Sequence, residues 1–494
     1  MRFGLWGTFD LENFGDMLFP PIARRELTRR VPGIEVATWS PIGYVGHNRF
    51  EDLEQERAAP LGTWSPDRLA ELAREVDVLA IGGGDIVHDR DAGIAPHYGL
   101  EPEEMIRRQT HRFFCEGLVE QGVPTAWLAV GVPFDPDPDL AQRLIAAVDR
   151  FADVSVRDEG SKERLLGAGI TCPIEIVPDS AFLAPRLLAA ADVERRLARL
   201  RDGGWYPRDR GALLVQGSQP LLPWIDTIAE QVGALCRREE LTPVLVETGP
   251  IHDDGDFADA LGERLTDAVR FPAEAGAGDL LAAIVGSAGS VGSSLHGAIV
   301  AAAFDRPWLM LDLVEQAKRR GVAASLDAQD RVVADPAAIG AAFGAAVRQG
   351  SLASRLADVE RSVDLHFDRL ADIAAAAPVR ERGGPPRAPR PVRALPDPDT
   401  RTAVLQSLIA DERDRRLIYE AEVADVMART KEVETWNLEL DAGNLDRDRR
   451  IAELASEMDA LRDRLEHVRF RDWLRATPPV RALRRARGGR RGAP

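Results

Sequence analysis

Two successive series of short apolar runs, each run followed by an amphipathic helical stretch, constrain the fold of this chain more than any other feature. Parallel β-sheets covered by helices produce this alternation, because each buried strand is followed by a helix that returns the chain to the same edge. The first series predicts strands over residues 2–6, 76–81, 125–130, 154–156 and 174–177, and helices over 16–30, 66–75, 103–121, 140–150 and 160–167.

The second series starts after Trp205-Tyr206-Pro207. It predicts strands over 212–216, 242–247, 268–271 and 308–311, a buried segment at 289–291, and helices over 224–238, 256–266, 279–284 and 297–303. We therefore predict an α/β protein with two Rossmann-like lobes, residues 1–190 and 191–378, that face a cleft. Ligands of such sheets gather at the carboxyl ends of the strands, where loops meet helix N-termini.

The composition changes after residue 378. Residues 379–400 are rich in Pro, Arg and Gly, which indicates an extended linker. Beyond it, residues 401–470 are rich in helix formers, and apolar residues recur at spacings of three and four: Ile451, Leu454, Met458, Leu461, Leu465 and Val468. This pattern predicts a coiled coil and self-association, with a single helix folded back on the core as the alternative.

Residues 471–494 form a basic tail with many arginines: Arg481, Arg484, Arg485, Arg487, Arg490 and Arg491. Such a tail either contacts an anionic membrane surface, where each basic residue contributes about 1 kcal/mol, or is a disordered solubilising end. Trp473 and Leu474 are the residues that would insert at the interface.

Charge and cysteine content exclude several classes of protein. The net charge of −17 argues against general nucleic-acid binding, which requires clustered Lys and Arg. The three cysteines are far apart, so neither a disulfide framework nor a structural zinc site is expected, and a reducing compartment fits best. The start of the sequence lacks a signal-peptide pattern, and no apolar run is long enough to cross a bilayer. We therefore expect a cytoplasmic protein, with contact to the inner face of the membrane as an option.

Two glycine-containing loops follow predicted strands of the first lobe. The loop from Gly7 to Asp16 contains Asn13 and Gly15 and leads into a helix, but it lacks the G-x-G-x-x-G fingerprint of dinucleotide binding. It either exposes backbone N–H groups to an anion or a sugar hydroxyl, or simply caps the helix. The second loop, Gly82-Gly83-Gly84-Asp85, allows close approach of a ligand or forms a tight turn with positive φ. His88, Asp89, Asp91 and His97 follow it without a metal-ligand spacing, so no metal is expected.

Charged residues end two further strands. Arg157 follows a β-branched strand and precedes a helix, where a guanidinium can hold a carboxylate or phosphate by two hydrogen bonds or form a structural ion pair with Asp158 or Asp179. Asp179 ends the next strand and is either a base or a helix cap.

The motif Ser293-Ser294-Leu295-His296-Gly297 precedes an apolar helix of the second lobe. The positive end of a helix dipole disfavours the imidazolium, which makes His296 a readier proton donor near neutral pH. The alternative is a structural histidine. Small residues on both sides of His296 favour a site open to a ligand.

In this order, the motifs Asn13-x-Gly15-Asp16, Gly82-Gly83-Gly84, Ser155-Val156-Arg157-Asp158, Pro178-Asp179 and Ser293-Ser294-Leu295-His296-Gly297 resemble those of the polysaccharide pyruvyl transferase family. The resemblance covers roughly residues 1–345. It implies a GT-B-like fold, phosphoenolpyruvate as the donor substrate without a further cofactor, and a sugar of a cell-surface glycan or its lipid-linked precursor as the acceptor. The product is a pyruvate ketal that bridges two sugar hydroxyls.

The resemblance implies roles for the predicted site residues. His296 is the expected general acid, Arg157 the carboxylate or phosphate clamp, and Asp16 and Asp179 position the acceptor or act as bases. The remaining expected substrate-binding residues are Asn13, Gly15, Gly83, Gly84, Asp85, Ser293 and Ser294.

One position departs from the family pattern. Family members commonly carry Arg-Leu-His where this chain has Ser294-Leu295-His296, and a serine cannot replace a charge-assisted bidentate pair. Either another cation compensates, with Arg306 and Lys318-Arg319-Arg320 as the candidates, or the donor differs, or catalysis is lost. Two other functions therefore stay open: a nucleotide-sugar glycosyltransferase, and a non-catalytic scaffold for glycan assembly.

Overall fold

The structure is a computed structural model that describes residues 1–43, 48–53, 57–313, 317–379 and 456–457. The predicted linker, coiled coil and basic tail lie outside the described residues, apart from Val379, Ser456 and Glu457. The described residues of Met1–Asp91 and Glu104–Leu395 belong to one compact unit, and Ala92–Glu103 lies outside it. Within Ala92–Glu103, a short 3-10 helix, Ala95–Tyr98, ends at Gly99 with a φ of 62°.

The first lobe contains a parallel sheet of five strands. These are β1 (Arg2–Trp6), β2 (Glu35–Ser40), β3 (Ala59–Pro60), β4 (Val78–Gly82) and β5 (Thr125–Leu128), in the order β3-β2-β1-β4-β5. Two short parallel strands, β6 (Ser155–Val156) and β7 (Glu175–Ile176), continue this sheet, because a bridge between Val130 and Val156 places β6 beside the end of β5. The central strands are buried, as is usual for parallel sheets with helices on both faces.

The second lobe contains a parallel sheet of six strands. These are β8 (Gly211–Gln216), β9 (Leu241–Leu245), β10 (Val269–Arg270), β11 (Gly289–Gly292), β12 (Trp308–Leu311) and β13 (Val332–Val333), in the order β10-β9-β8-β11-β12-β13. In each sheet the strand that comes first in the chain, β1 or β8, lies near the centre, and the strands that follow it lie on both sides. Where the strand order changes direction beside β1 or β8, a crevice opens at the carboxyl edge.

Fifteen α-helices connect and cover the sheets in the described part of the chain. They are α1 (Phe19–Arg30), α2 (Pro66–Glu75), α3 (Asp91–Ile94), α4 (Pro102–Arg108), α5 (Thr110–Glu116), α6 (Pro138–Val148), α7 (Glu159–Gly167), α8 (Ala190–Asp202), α9 (Ile225–Arg238), α10 (Asp254–Gly262), α11 (Ala277–Gly286), α12 (Leu295–Ala303), α13 (Ala317–Ser325), α14 (Ile339–Gln349) and α15 (Ala353–Ala376). Short 3-10 helices include Asp16–Leu18, which leads into α1, and Ser180–Arg186. Helix α2 begins with two local start signals. Ser65, just before it, accepts a hydrogen bond from the N–H of Arg68 at 3.1 Å, and Pro66 is its first residue.

The last long helix, α15, follows the second lobe in sequence but packs on the first. Its Asp364 pairs with Arg30 of α1 at 2.7 Å and with Arg186 at 2.8 Å. Its His366 is completely buried, and the Nε2 atom lies 3.0 Å from an Asp153 carboxylate oxygen at the start of β6. Together with the segment between β7 and β8, α15 makes the chain cross between the lobes twice.

The two predicted βα series are confirmed, and with them the α/β fold class of two Rossmann-like lobes. Strands β1 and β12 and helix α2 have the predicted bounds. The single helix predicted over 103–121 is wrong: the chain breaks at Gln109, which has a φ of 44°, because the N–H of Thr110 binds the Asp91 carboxylate at 3.0 Å. Strand β2 was not predicted. The lobe limits at residues 190 and 378 stay predictions.

Candidate active site

The carboxyl edges of the two sheets meet at the loops that the sequence analysis singled out. The N–H of Phe14, in the loop after β1, donates to the Thr248 carbonyl of the second lobe at 2.7 Å. His296, in the first turn of α12, places its Nε2 atom 3.5 Å from a carboxylate oxygen of Asp179, which follows β7. The predicted site residues of both lobes therefore lie at one shared edge.

Gly15 is required because the imidazole of His296 packs directly on its backbone. A Cβ atom at this position would overlap the ring atoms of His296. Asn13 shapes the turn by accepting a hydrogen bond from the N–H of Gly15 at 3.0 Å. On another side the ring of Phe19 meets the imidazole edge to face, with 5.6 Å between ring centroids. The Asn13-x-Gly15 loop thus positions a side chain of the opposite lobe.

Asp16 lies behind the same loop and is 8% exposed. Burial raises the pKa of Asp16 to about 6, although His296 and a hydrogen bond from Thr8 act in the opposite direction. The backbone of Gly84 approaches this carboxylate so closely that an added Cβ would lie 2.9 Å from its oxygen. Gly83 and Gly84 also have φ values of 89° and 82°, so the glycine loop forms a tight turn. The same loop also lets the backbone of Gly84 lie close to the Asp16 carboxylate.

Arg157 follows β6, and its side chain is 4% exposed. The guanidinium forms an ion pair with Asp85 of the glycine loop, and its Nε atom lies 3.5 Å from Asp158. Burial alone would lower the pKa of Arg157, but Asp85, Asp179 and Asp158 outweigh it and raise the pKa. The clamp residue is therefore fully charged and is held by a carboxylate of a neighbouring strand.

Asp179 is both a helix cap and a site residue. One of its oxygens accepts a hydrogen bond from the N–H of Ala181 at 2.8 Å and caps the helix Ser180–Arg186. The other faces His296. Burial alone would raise the pKa of Asp179, but His296 and Arg157 hold it below its usual range. One ionised carboxylate thus faces the imidazole directly and is stabilised at longer range by the charge of the guanidinium.

Three buried polar atoms of these residues lack a hydrogen-bond partner within the described part of the chain: Nε of Arg157, the outer oxygen of Asp179, and Nε2 of His296. Buried polar groups are rarely left in this state, so each is available to a ligand or water. A small pocket adjoins Arg157 and Asp179, and its other lining residues are Asp158, Pro178, Phe182, Gly321, Val322 and Ser325. His296 does not line it, so the imidazole reaches this region only through Asp179.

The second lobe holds its part of the site with neutral groups. The Ser294 hydroxyl accepts a hydrogen bond from the N–H of Gly297 at 3.1 Å and caps α12. The side-chain oxygen of Gln216 accepts from the N–H groups of Ser293 at 3.0 Å and Ser294 at 2.8 Å. Its amide nitrogen donates to buried Asp254 at 2.9 Å. Sequence reasoning missed Gln216 and Asp254, although a polar residue that ends the apolar strand β8 was a usable signal.

The two candidate replacements for an arginine at position 294 lie at different ends of the lobe. Arg306 follows the C-terminal end of α12 and precedes β12, so it lies at the amino edge, away from His296. Arg319 of α13 pairs at 3.0 Å with Asp312, which follows β12 at the same carboxyl edge as His296. The position of Arg306 therefore excludes it as a substitute.

The described residues contain neither a metal-ligand cluster nor a membrane-spanning helix. No three His, Cys, Asp or Glu side chains among them come close enough together to hold a metal ion. Within the same residues, no helix is both long and apolar enough to cross a bilayer.

Two parallel sheets, with an imidazole, a guanidinium and carboxylates at their shared edge, define a two-lobed α/β protein with a charged cleft. The family model for polysaccharide pyruvyl transferases matches residues 13–313, more than half of the chain. This chain belongs to the polysaccharide pyruvyl transferase family. A comparison with curated proteins finds no match.

Solved structures with a similar arrangement include UDP-GlcNAc 2-epimerases. That of Neisseria meningitidis, bound to UDP-GlcNAc, is 13% identical, with a TM-score of 0.45 over 76% of this chain and 98% of that one. That of Methanocaldococcus jannaschii is 11% identical, with a TM-score of 0.45 over 70% and 92%. The N-terminal domain of Candida albicans trehalose-6-phosphate phosphatase is 9% identical, with a TM-score of 0.41 over 76% and 98%. At these values the likeness says nothing about the substrate of this chain.

Proposed function

We propose that this family member transfers the pyruvyl group of phosphoenolpyruvate, as a ketal, to a sugar of a cell-surface polysaccharide or of its lipid-linked precursor. The proposal depends on the position of Asp179. Its carboxylate lies 3.5 Å from His296, and the charge of Arg157 helps to keep it ionised. Asp179 thereby links a proton donor to an anion clamp, and a donor with a phosphate, a carboxylate and a protonatable carbon requires both.

In the first step, His296 donates its proton to the methylene carbon C3 of the donor. Positive charge develops at C2, and the oxygen of one acceptor hydroxyl forms a bond to C2. The hydroxyl proton passes to Asp16, whose pKa of about 6 suits a base near neutral pH. Arg157 binds the donor carboxylate or phosphate, and Asp179 stabilises the charged imidazole and fixes its orientation.

In the second step, the bond between C2 and the phosphate oxygen breaks, and phosphate leaves with the bonding electrons and takes up the proton held by Asp16, which restores the carboxylate. The second acceptor hydroxyl forms the other bond to C2, which completes the ketal, and its proton returns to His296. The cycle needs no oxidant or reductant. Of the two hydroxyl protons, one ends in the methyl group of the ketal and the other on the one inorganic phosphate that is released.

The test is a phosphate-release assay with phosphoenolpyruvate and a panel of lipid-linked and nucleotide sugars. We expect His296→Ala to lower turnover by about 10²–10⁴-fold, the usual contribution of a positioned acid. His252→Ala, which changes an exposed histidine of the same lobe, is the control. Equal turnover of parent and His296→Ala would show that His296 is not the proton donor. Tight binding of a UDP- or GDP-sugar without phosphate release would favour the glycosyltransferase function.

Other elements of the proposal rest on the sequence alone. They are self-association through residues 401–470, contact of the basic tail with an anionic membrane, and a cytoplasmic location at or near the inner face of that membrane. The identity of the acceptor sugar is open within the class of glycan sugars that carry two suitably placed hydroxyls.

A further inference from the structure

Arg49 lies between the two lobes, outside the motifs that form the candidate site. It is the first residue of a 3-10 helix, Arg49–Leu53, that comes after β2, and only 6% of its side chain is exposed. A buried guanidinium needs partners for its N–H groups, because an unpaired charge in the interior is costly. The partners of Arg49 come from three separate segments of the chain.

The guanidinium joins the first lobe to the second. Its Nε atom lies 3.2 Å from a carboxylate oxygen of Glu12, in the loop after β1. Its Nη2 atom donates at 3.2 Å to Glu247, which follows β9, and its Nη1 atom donates to the Ala273 carbonyl, which follows β10. Each nitrogen thus faces a different segment. This arrangement requires the planar fork of an arginine, since a lysine has a single nitrogen.

The neighbours of Arg49 in sequence hold the same loop after β1, residues 7–16, which we call the site loop. The side-chain nitrogen of Asn48 donates to the Leu11 carbonyl at 2.9 Å. The ring of Phe50 meets that of Phe14 edge to face, with 5.9 Å between ring centroids. The guanidinium carbon lies 4.8 Å from the centroid of the Phe50 ring, so the cation and both rings pack together.

In the first lobe, these contacts reach one side of the His296 imidazole. Phe14 directly precedes Gly15, and the imidazole packs on the backbone of Gly15. Glu12 lies three residues before Gly15 in the site loop. A shift of the site loop would therefore move the surface on which the ring of His296 rests.

In the second lobe, the contacts of Arg49 lead to the backbone that precedes His296. Glu247 is followed by Thr248, whose N–H donates to Asp254 at 2.9 Å. The same carboxylate accepts a hydrogen bond from Gln216, which holds the N–H groups two and three residues before His296. The guanidinium is therefore connected to both of the parts that surround this imidazole.

We propose that Arg49 is a positioning residue of the candidate active site, which holds the site loop against the second lobe and thereby fixes the orientation of His296. The inference rests on the proposed function for its effect on turnover, because His296 is the proton donor there. A displacement of about 1 Å, caused by a substitution far from the chemistry, can lower the rate by about 100-fold. Arg49 acts through His296, so its loss should affect turnover more than donor binding.

The experiment compares three variants of the full-length protein. Arg49→Met removes the whole set of contacts, and Glu12→Gln weakens only the contact to the site loop. The matched control is Asp52→Asn, in the same 3-10 helix. Asp52 also joins the lobes, but its partners lie in α11 and α8: it accepts from the N–H of Gly278 at 3.2 Å and pairs with Arg196 at 2.9 Å.

We expect Arg49→Met to lower kcat by at least about tenfold and Glu12→Gln by about threefold, while the KM for phosphoenolpyruvate stays within about twofold in both. Asp52→Asn should keep kcat within about twofold, even where urea unfolding shows that it destabilises the protein as much as Glu12→Gln does. An unchanged kcat in Arg49→Met and Glu12→Gln, or an equal fall in all three variants, would overturn the inference. If Arg49→Met does not fold, Glu12→Gln decides between these outcomes.

A spectroscopic measurement separates this inference from the proposed function. The imidazole signals of ¹⁵N-labelled protein report the surroundings of His296 without any substrate, and comparison with His296→Ala identifies them. Signals that shift in Arg49→Met and Glu12→Gln, but not in Asp52→Asn, support the inference even if phosphoenolpyruvate is not turned over, a result that would contradict only the proposed function. Signals that stay in place in the first two variants, or that move equally in all three, refute it.

Discussion

The two lobes supply the cleft with different chemistry. The first lobe contributes charged groups, Asp16, Asp85, Arg157 and Asp179, and each of them interacts with another charged group of the site. The second lobe contributes one imidazole, and the backbone around it is held by the neutral side chains of Gln216 and Ser294. Anion binding is therefore expected to depend on the first lobe and proton transfer on the geometry of the second.

The largest effect is expected where the first lobe binds the donor. Arg157→Ala removes a buried charge-assisted clamp, so kcat/KM for phosphoenolpyruvate should fall by about 100-fold or more. Steady-state kinetics and donor titration measure this loss. The control is Arg150→Ala, which removes a half-exposed arginine far from the edge of the site. If Arg157→Ala mainly affects the acceptor KM, the first lobe does not bind the donor through Arg157.

The second prediction concerns the free energy of unfolding, which the buried carboxyl of Asp16 in the first lobe is expected to lower near neutral pH. The folded-state pKa of Asp16 is raised to about 6, so the folded protein loses stability as the pH rises from about 4 to about 6, where this carboxyl is ionised in the unfolded chain but still protonated in the folded one. Asp16→Asn should therefore be more stable than the parent above pH 6, by at most about 3 kcal/mol, and no more stable near pH 4. Urea unfolding at both pH values tests this, and a gain that does not depend on pH would contradict it.

The third prediction concerns the neutral support of the second lobe. Gln216→Leu removes one of the hydrogen bonds to Asp254 and leaves the N–H groups of Ser293 and Ser294 without their partner, which should lower the free energy of unfolding by about 2 kcal/mol. It should also lower kcat with little change in donor KM, because the His296 loop loses its support. Gln219→Leu, an exposed change three residues later, provides the comparison. An increase of donor KM alone would place Gln216 in anion binding instead.

The smallest effect is expected at Ser294. Ser294→Ala removes the cap of α12 and should lower the free energy of unfolding by about 1 kcal/mol, while Ser294→Asn, another good capping residue, should keep it. Thermal unfolding of the two variants measures the difference. Equal loss in both would mean that capping is not the role of this hydroxyl.

The sequence predicts most of the fold because long apolar runs and clear caps define their elements locally. Helix α2 shows this, with Ser65 before it and Pro66 at its first position. Strand β2, Glu35–Ser40, escaped prediction because it is buried on both faces and lacks the alternation that marks a half-buried strand. The break at Gln109 depends on a hydrogen bond to Asp91, a tertiary contact that no local pattern contains.

The same distinction applies to the candidate site. Arg157, Asp179 and His296 were found because they follow predicted strands or begin a helix, where the fold class places ligands. The reason for Gly15 was not available from the sequence, since it lies in a contact between residues nearly three hundred positions apart. Gln216 and Asp254 were missed for a related reason, because their roles consist of hydrogen bonds to other loops.

The return of α15 to the first lobe has a consequence for where this protein can be cut. The family match ends at residue 313, and a fragment trimmed to that limit would look complete by homology. It would nevertheless strip the partner from Asp153 and uncover the flank of α1 that Asp364 now covers. The smallest piece that can be expected to fold on its own therefore extends at least to Ala376, some sixty residues past the homologous region.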